Sequence, residues 1–299
     1  MTQAPSVITC WTRSLERGDK PTHAHLRDHL LAVHKHRAGF TESCAWSCRD
    51  ERGRNSYELL TEMLDPRQHK RIMDLACGSG VLLELCLQRF GTEVSLVGVD
   101  MSADELRLAR QRLPGTGIDL YEGVAQDLHF IADGTIDLIF CHWALTLMDP
   151  VISVLHEARR VLARNGTFAA IIDGDPVTAP GYADVHSLIY EWVQRRYPEY
   201  GTFELGDARV RTKKALLELA REAFTGAHIE IEPAVLRLYA SPAILAREVA
   251  GFFYASFVLS APDRSRMLEE LAATFQAGGL EDQGCFEMPV NRLVIRRPI

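Results

Sequence analysis

Between residues 70 and 173 the chain alternates short apolar runs with segments patterned for helix, and this alternation leaves little choice of fold. Apolar runs occupy 70–76, 94–99, 118–122, 136–142 and 167–173, and helical patterns lie near 80–90, 103–113 and 151–163. Strands buried on both faces of a parallel sheet read as continuous apolar runs, and each needs a crossover to reach the next. The spacing therefore predicts an α/β fold built on a doubly wound, Rossmann-like, mostly parallel sheet. In such sheets ligands bind outside the carboxyl ends of the strands.

The first apolar run ends in Asp74-Leu-Ala76-Cys-Gly78-Ser79-Gly80 and passes directly into a helical segment. A glycine-rich turn between strand and helix lets backbone approach a nucleotide closely. Asp100 closes the second run, about 20 residues further on, where a carboxylate can accept hydrogen bonds from both hydroxyls of a ribose. A dinucleotide fingerprint needs a third glycine three residues after the second, but Leu83 stands there. A pyrophosphate also favours free backbone N–H groups, whereas Asp74 sets a negative charge beside the turn. The residues thus predict an adenosyl cofactor that carries positive charge.

The pattern of Asp74, Gly78, Gly80 and Asp100 resembles motif I of the class I S-adenosylmethionine-dependent methyltransferases, Asp/Glu-x-x-x-Gly-x-Gly with an acid after the next strand. The resemblance covers residues 70–173 well and the rest loosely. It implies a seven-stranded sheet, S-adenosylmethionine as cofactor, and contacts to it from Asp74, Ala76, Gly78, Ser79, Gly80, Asp100 and Met101. After the third strand the family commonly shows Gly-Asp-Ala-x-x-Leu-Pro-Phe, whose Asp reads the adenine amino group. Here Gly123-Val124-Ala125-Gln126-Asp127-Leu128-His129-Phe130 stands in its place, so the adenine contact passes to backbone at Ala125 or to Gln126 and Asp127; a turn cap by Asp127 is the alternative.

The fourth strand delivers Cys141, His142 and Trp143 to the sheet end where the family holds the sulfonium. His142 can orient the acceptor, act as general base or bond the methionyl part, and it can equally be a satisfied structural histidine. Trp143 offers an aromatic face to a cation or simple packing. Asp173 and Asp175 follow the fifth strand, either as proton acceptors or as turn caps. Candidate catalytic residues are therefore His142, Asp173, Asp175 and, from the N-terminal region, Tyr57, with Arg54 beside it.

Residues 1–65 read as a helical N-terminal lid over the cofactor, and 66–299 as the cofactor-binding domain with a helical insertion at about 241–280. In the first region Pro21 and Thr22 open a helix that Gly39 ends, and a second helix starts at Asn55, boxed by Glu58 and stopped by Asp65-Pro66. Beyond 174 the pattern gives a helix at 212–224, a strand run at 228–239 interrupted at Pro233, a helix opened by Ser241-Pro242, another at 264–277 and a strand at 291–296. His23, His25, His29, His34 and His36, with Cys44 and Cys48 nearby, invite a zinc reading, but the cysteine spacing is loose and no second pair completes a site. No metal is expected.

With 299 residues and net charge −7, and no long basic run, the chain is unsuited to tracking nucleic-acid phosphates. The longest apolar stretch, around 250–261, is well short of the ~20 residues that span a bilayer. Seven scattered cysteines without a signal peptide point to the reducing cytoplasm. A small-molecule partner is favoured. The aromatic run Phe252-Phe253-Tyr254-Ala-Ser-Phe257 is read as core, with an acceptor wall or a homodimer face as alternatives. The leading expectation is methyl transfer to a small molecule of secondary metabolism. Two rivals keep the cofactor: cyclisation of S-adenosylmethionine to azetidine-2-carboxylate with release of methylthioadenosine, as in relatives of this family, and a non-catalytic binder of the cofactor or of S-adenosylhomocysteine.

Overall fold

A computed structural model describes residues 6–203, 205–277 and 283–298. In chain order the first elements are α1 (Cys10–Arg17), α2 (His23–His36), α3 (Glu42–Ser47), α4 (Ser56–Thr61), β1 (Arg71–Leu75), α5 (Val81–Phe90), β2 (Ser95–Asp100), α6 (Ala103–Arg112), β3 (Asp119–Glu122) and β4 (Ile136–His142). Then come α7 (Val151–Val161), β5 (Leu162–Asp173), α8 (Pro180–Gln194), α9 (Lys213–Ala223), β6 (His228–Ala240), α10 (Pro242–Phe252), α11 (Ala261–Ala277) and β7 (Gly284–Arg296).

The seven strands form one sheet in the order β3-β2-β1-β4-β5-β7-β6. Strands β1 to β5 pair in parallel, and β7 returns antiparallel against β5. The fold is thus Rossmann-like with a mostly parallel sheet. Strand order reverses between β1 and β4, so a crevice opens there at the carboxyl ends.

The chain divides into two compact units. The sheet unit holds 54–175, 205–234 and 290–299; the other holds 1–53, 176–204 and 235–289. This departs from a break at residue 65. Asn55 and Glu58 do form a reciprocal capping box, but the short helix they start packs on α5, β4 and β5, so α4 belongs to the sheet unit.

Within the sheet unit, alternate residues of each strand face opposite sides. Met73, Leu75, Val97, Val99 and Ile139 join Val154, Leu155 and Ala158 of α7 and Leu216, Leu219 and Ala220 of α9 in one buried cluster. Each such Leu or Val contributes about 1.5–3 kcal/mol by leaving water. Asp74 alternates with Met73 and Leu75 and therefore points to the other side, toward the helix that follows.

Three sequence expectations need revision. The strand at 228–240 runs through Pro233 without a break, because β6 is the outer strand and a proline's missing N–H costs nothing on the free edge. The region after 174 contains an unforeseen helix, α8, started by Pro180 at its first position. Helix α2 ends at His36 with Arg37 as cap, ahead of Gly39. Helices α10 and α11 occupy the expected insertion, whose last three residues, 278–280, lie outside the described residues.

The other unit is helical. Trp11 stacks on His29 at 4.7 Å and meets Tyr200 edge-on, while Phe40 packs against Tyr254 and Phe257. The N-terminal histidines have separate partners: His29 with Thr9 at 3.0 Å, His34 with Tyr254 at 2.8 Å, and His36 against the Phe257 ring. The Cys44 and Cys48 sulfurs are 3.9 Å apart, and all seven cysteines are free thiols. Among the described residues no group of three or more His, Cys, Asp or Glu is placed to hold a metal ion. No described helix is long and apolar enough to cross a membrane.

Candidate active site

The turn after β1 is shaped by left-handed residues: Ala76 at φ 61°, Gly78 at 52° and Gly80 at 81°. Gly80 caps α5 and sits against α6, where a Cβ would come 3.1 Å from both Ala109 and Leu113. Only glycine meets both demands cheaply. The turn is tied on two sides. The Gly78 amide donates to Asp100 Oδ2 and the Ser102 amide to Asp100 Oδ1, both at 2.8 Å, so the second-strand acid bridges the turn and the start of α6. Arg112 donates to the Ser79 carbonyl at 3.0 Å and to its Oγ at 2.9 Å.

Leu83 is explained by Gly98 on the neighbouring strand. A Cβ at Gly98 would lie 2.8 Å from Leu83 Cδ1 and 2.6 Å from Leu120 Cδ2. The close helix-to-strand approach that a dinucleotide fold obtains from a glycine in the helix is obtained here from a glycine in the strand.

Asp74 and Asp100 are both buried, at 2% and 8% exposure, and Asp74 Oδ1 is enclosed with no hydrogen-bond partner among the described residues. Burial first, and the Asp100 charge second, push the Asp74 carboxyl up to about 8. A buried carboxylate without a counter-charge is costly and invites a cation. The same surroundings keep two thiols protonated: burial and Asp74 push Cys141 up to about 12, and Cys77 is raised further by burial, Asp74 and Asp100. A ligand with an ammonium group near Asp74 and a ribose near Asp100 fits these residues, since each carboxylate oxygen can accept more than one hydrogen bond. S-adenosylmethionine carries both groups. Met101 lies between Asp100 and the Ser102 cap of α6.

The adenine-side residues are less gathered. Gln126 Nε2 reaches the Asp149 carbonyl at 3.4 Å, while Asp127 is an exposed turn residue bonded to the His129 amide and ring. Phe130 covers Gly123, where a Cβ would meet its ring at 2.8 Å, and stacks on Tyr121.

At the end of β4, His142 Nε2 lies 2.8 Å from Ser56 Oγ, and its ring stacks on Tyr57 at 4.0 Å. Burial lowers His142 to about 3, so the imidazole is neutral at physiological pH. Trp143 follows at φ 52°, an unusual conformation for a non-glycine residue, and its indole is a neighbour of Asp173. Asp173 is raised by burial, which outweighs the Arg211 guanidinium 3.7 Å away and the nearby Trp143 indole. Asn291 holds the Asp173 carbonyl at 3.3 Å. Asp175 is exposed beyond the strand. Arg54 pairs with Glu62 at 2.6 Å.

The structure therefore brings Asp74, the 76–80 turn and Asp100 together, and Tyr57 with His142, while Asp127 and Asp175 stand at the surface. Ser56, Arg112 and Arg211 join the site without having been foreseen. Ser56 could have been suspected from its place beside the Asn55 cap; the two arginines look like ordinary surface charge in the sequence.

Fold and crevice together define a Rossmann-like domain of the class I S-adenosylmethionine-dependent methyltransferase type. Residues 72–166 match the family described as methyltransferase domain. A curated relative, the trans-aconitate 2-methyltransferase of Rhizobium etli, is 42% identical over 79 residues, which are 24% of this chain. The chain spans only 30% of that relative's length. Among solved structures, phosphoethanolamine N-methyltransferase 2 of Haemonchus contortus, bound to phosphomonomethylethanolamine and S-adenosylhomocysteine, covers 93% of the chain. The chain covers 61% of that structure, at TM-score 0.55 and 15% identity. The cyclase SpnF covers 94% of the chain, with 98% of its own length matched, at TM-score 0.54 and 17% identity. These two likenesses are of fold.

Proposed function

We propose that the chain transfers the methyl group of S-adenosylmethionine to a small-molecule acceptor in secondary metabolism, in the reducing cytoplasm. The observation that carries this reading is the buried, unpartnered Asp74 oxygen beside a glycine turn tied to Asp100. The names of the trans-aconitate and phosphoethanolamine enzymes support a small acceptor.

When bound, S-adenosylmethionine supplies an electrophilic methyl group on a positively charged sulfur, and displacement at that carbon leaves a neutral thioether. The protein's task is placement, which alone can supply several kcal/mol. Asp74 holds the ammonium end, and Asp100 the ribose while it fixes the turn. Ala76, Ser79, Met101 and Cys141 would line the cofactor, with Gln126 on the adenine side, and the Trp143 ring would offer its face to a cation there. His142, neutral and fixed by Ser56 and Tyr57, orients groups by hydrogen bonding. Asp173, at the end of β5 beside Arg211, and the exposed Asp175 beyond it take a proton where the acceptor must lose one.

Incubation of the purified protein with S-adenosylmethionine, first alone and then with metabolite extracts, tests the reading by mass spectrometry. Adenosylhomocysteine formed only with extract supports it. Methylthioadenosine formed without an acceptor moves the displaced carbon to the methionyl chain, as in azetidine-2-carboxylate formation, and refutes methyl transfer. Cofactor binding with no product under either condition favours a binder.

A further inference from the structure

At the opposite end of the sheet unit, a cavity of about 610 Å³ is lined by His156, Arg159, Arg160, Arg164, Arg297 and Asp133. It lies where β4 and β5 begin. The cofactor crevice lies where β4 ends, so the two are separated by the length of that strand, roughly 20 Å at about 3.3 Å per residue. A molecule in this cavity does not reach the transferred methyl group.

The charges in the cavity are unbalanced. Arg160 is satisfied by two carboxylates, Glu157 at 2.8 Å and Asp133 at 2.5 Å. Arg159, Arg164 and Arg297 have no carboxylate partner among the described residues. Two of them are nevertheless fixed by neutral acceptors: Arg159 donates to the Ala223 carbonyl at 3.1 Å, and Arg297 donates to the carbonyls of Arg159 and Leu162. Arg164 lies near the start of β5, and the next residue, Asn165, is left-handed at φ 67°. Burial first, and then the facing charges of Arg159 and Arg164, lower the Arg297 guanidinium from its ordinary value. Like charges held together by backbone carbonyls await an anion, and on a chain of net charge −7 such a cluster is not part of a general basic surface.

We propose that this cavity binds a small phosphorylated molecule, its phosphoryl oxygens gripped by Arg159, Arg164 and Arg297. Guanidinium groups bind phosphate through paired, charge-assisted hydrogen bonds. Three of them converging from separate segments match the three free oxygens of a tetrahedral phosphoryl group better than the two of a planar carboxylate. The cavity has the volume of a metabolite site, within about 300–1,000 Å³, so the ligand carries a body beyond its phosphate. The site stands apart from the proposed transfer reaction and does not depend on it.

Inorganic pyrophosphate is the probe, measured by calorimetry and thermal shift at physiological salt, where diffuse surface attraction is screened within about 8 Å. The wild-type chain is expected to bind it saturably and to gain thermal stability. Arg164→Gln, at an exposed residue without a hydrogen-bond partner among the described residues, is expected to weaken binding by about tenfold, and Arg297→Gln by at least as much. Adenosylhomocysteine affinity should stay within about twofold in both variants, as the strand separation requires. Absence of saturable pyrophosphate binding to the wild type overturns the proposal. Equal binding by the wild type and Arg164→Gln does so as well, since the contact would then lie elsewhere.

Discussion

Replacing Asp74 with asparagine should raise the stability of the ligand-free protein and weaken its hold on the cofactor, two effects of opposite sign from one atom. The carboxyl is shifted from 3.8 to about 8 by burial and by Asp100. Between those values the folded state binds a proton that the unfolded state has released, so this group's contribution to stability is present at low pH and is lost as pH rises through about 8. At pH 7 the folded protein holds that proton at a cost of about 4 kcal/mol, taking about 1.4 kcal/mol per unit. Asparagine removes the titration but brings an amide whose burial costs about 1–3 kcal/mol. The net gain is about 1–3 kcal/mol. Loss of a charge-assisted bond to the ammonium group, about 1.5–3 kcal/mol, should weaken adenosylhomocysteine binding roughly 10- to 150-fold. In the wild type the carboxyl and an amino group that also titrates near about 8 share one proton when paired. Affinity should peak near that pH and fall about tenfold per unit on either side. Urea unfolding of the free protein and calorimetric titration with adenosylhomocysteine from pH 6 to 9 measure both. A flat pH profile in the wild type, or an Asp74→Asn variant that binds as tightly as the wild type, would refute the pairing.

Gly98→Ala forces a Cβ to within 2.6 Å of Leu120 and 2.8 Å of Leu83, which should cost about 1–3 kcal/mol. Adding Leu83→Ala should recover part of that loss in a double-mutant cycle, and strictly additive losses would remove the steric account. Arg112→Ala frees Ser79 from its bonds at 2.9 and 3.0 Å and should weaken adenosylhomocysteine about tenfold; affinity within twofold of wild type would show that the turn holds itself. Burial lowers His142 to about 3 and His29 to about 4, from 6.5. The unfolded chain binds protons that these rings refuse, so the stability they contribute is present above pH 6.5 and is lost as pH falls toward 4. At pH 5 the loss is about 2 kcal/mol for each ring in its own unit. Urea titrations of His142→Gln and His29→Gln at pH 7 and 5 should show that slope reduced; an unchanged slope assigns the acid sensitivity to other groups.

The parts of this fold that could be read in advance are those whose physics is local. A carboxylate ending a buried apolar run stands out because burial must be compensated, and so Asp74 and Asp100 were visible. The Asn55 box was legible because cap and partner sit three residues apart. Pro233 misled because its cost depends on which edge of the sheet its strand occupies, which only the β5–β7–β6 order decides. Ser56 and His142 are 86 positions apart, and nothing near either announces their 2.8 Å contact. The arginines of the far cavity come from α7, the start of β5 and the residue after β7, where each alone looks like solvated charge.

Leu83 joins the two kinds of information. In the sequence its bulk excluded a pyrophosphate-binding turn and narrowed the ligand to a cation, an argument from what glycine would have permitted. In the structure the same bulk is accommodated by Gly98, so helix and strand remain close while the side chain fills the space above the sheet. The turn that precedes α5 then rests on a packed Leu, with its Gly78 amide committed to Asp100 and its Ser79 to Arg112. With those groups engaged within the protein, the group left without a partner at the turn is the Asp74 carboxyl, which gives up its proton when a cation pairs with it. A turn whose Gly78 and Gly80 amides are engaged within the protein, with the Asp74 carboxyl beside it, favours an ammonium group over a phosphate.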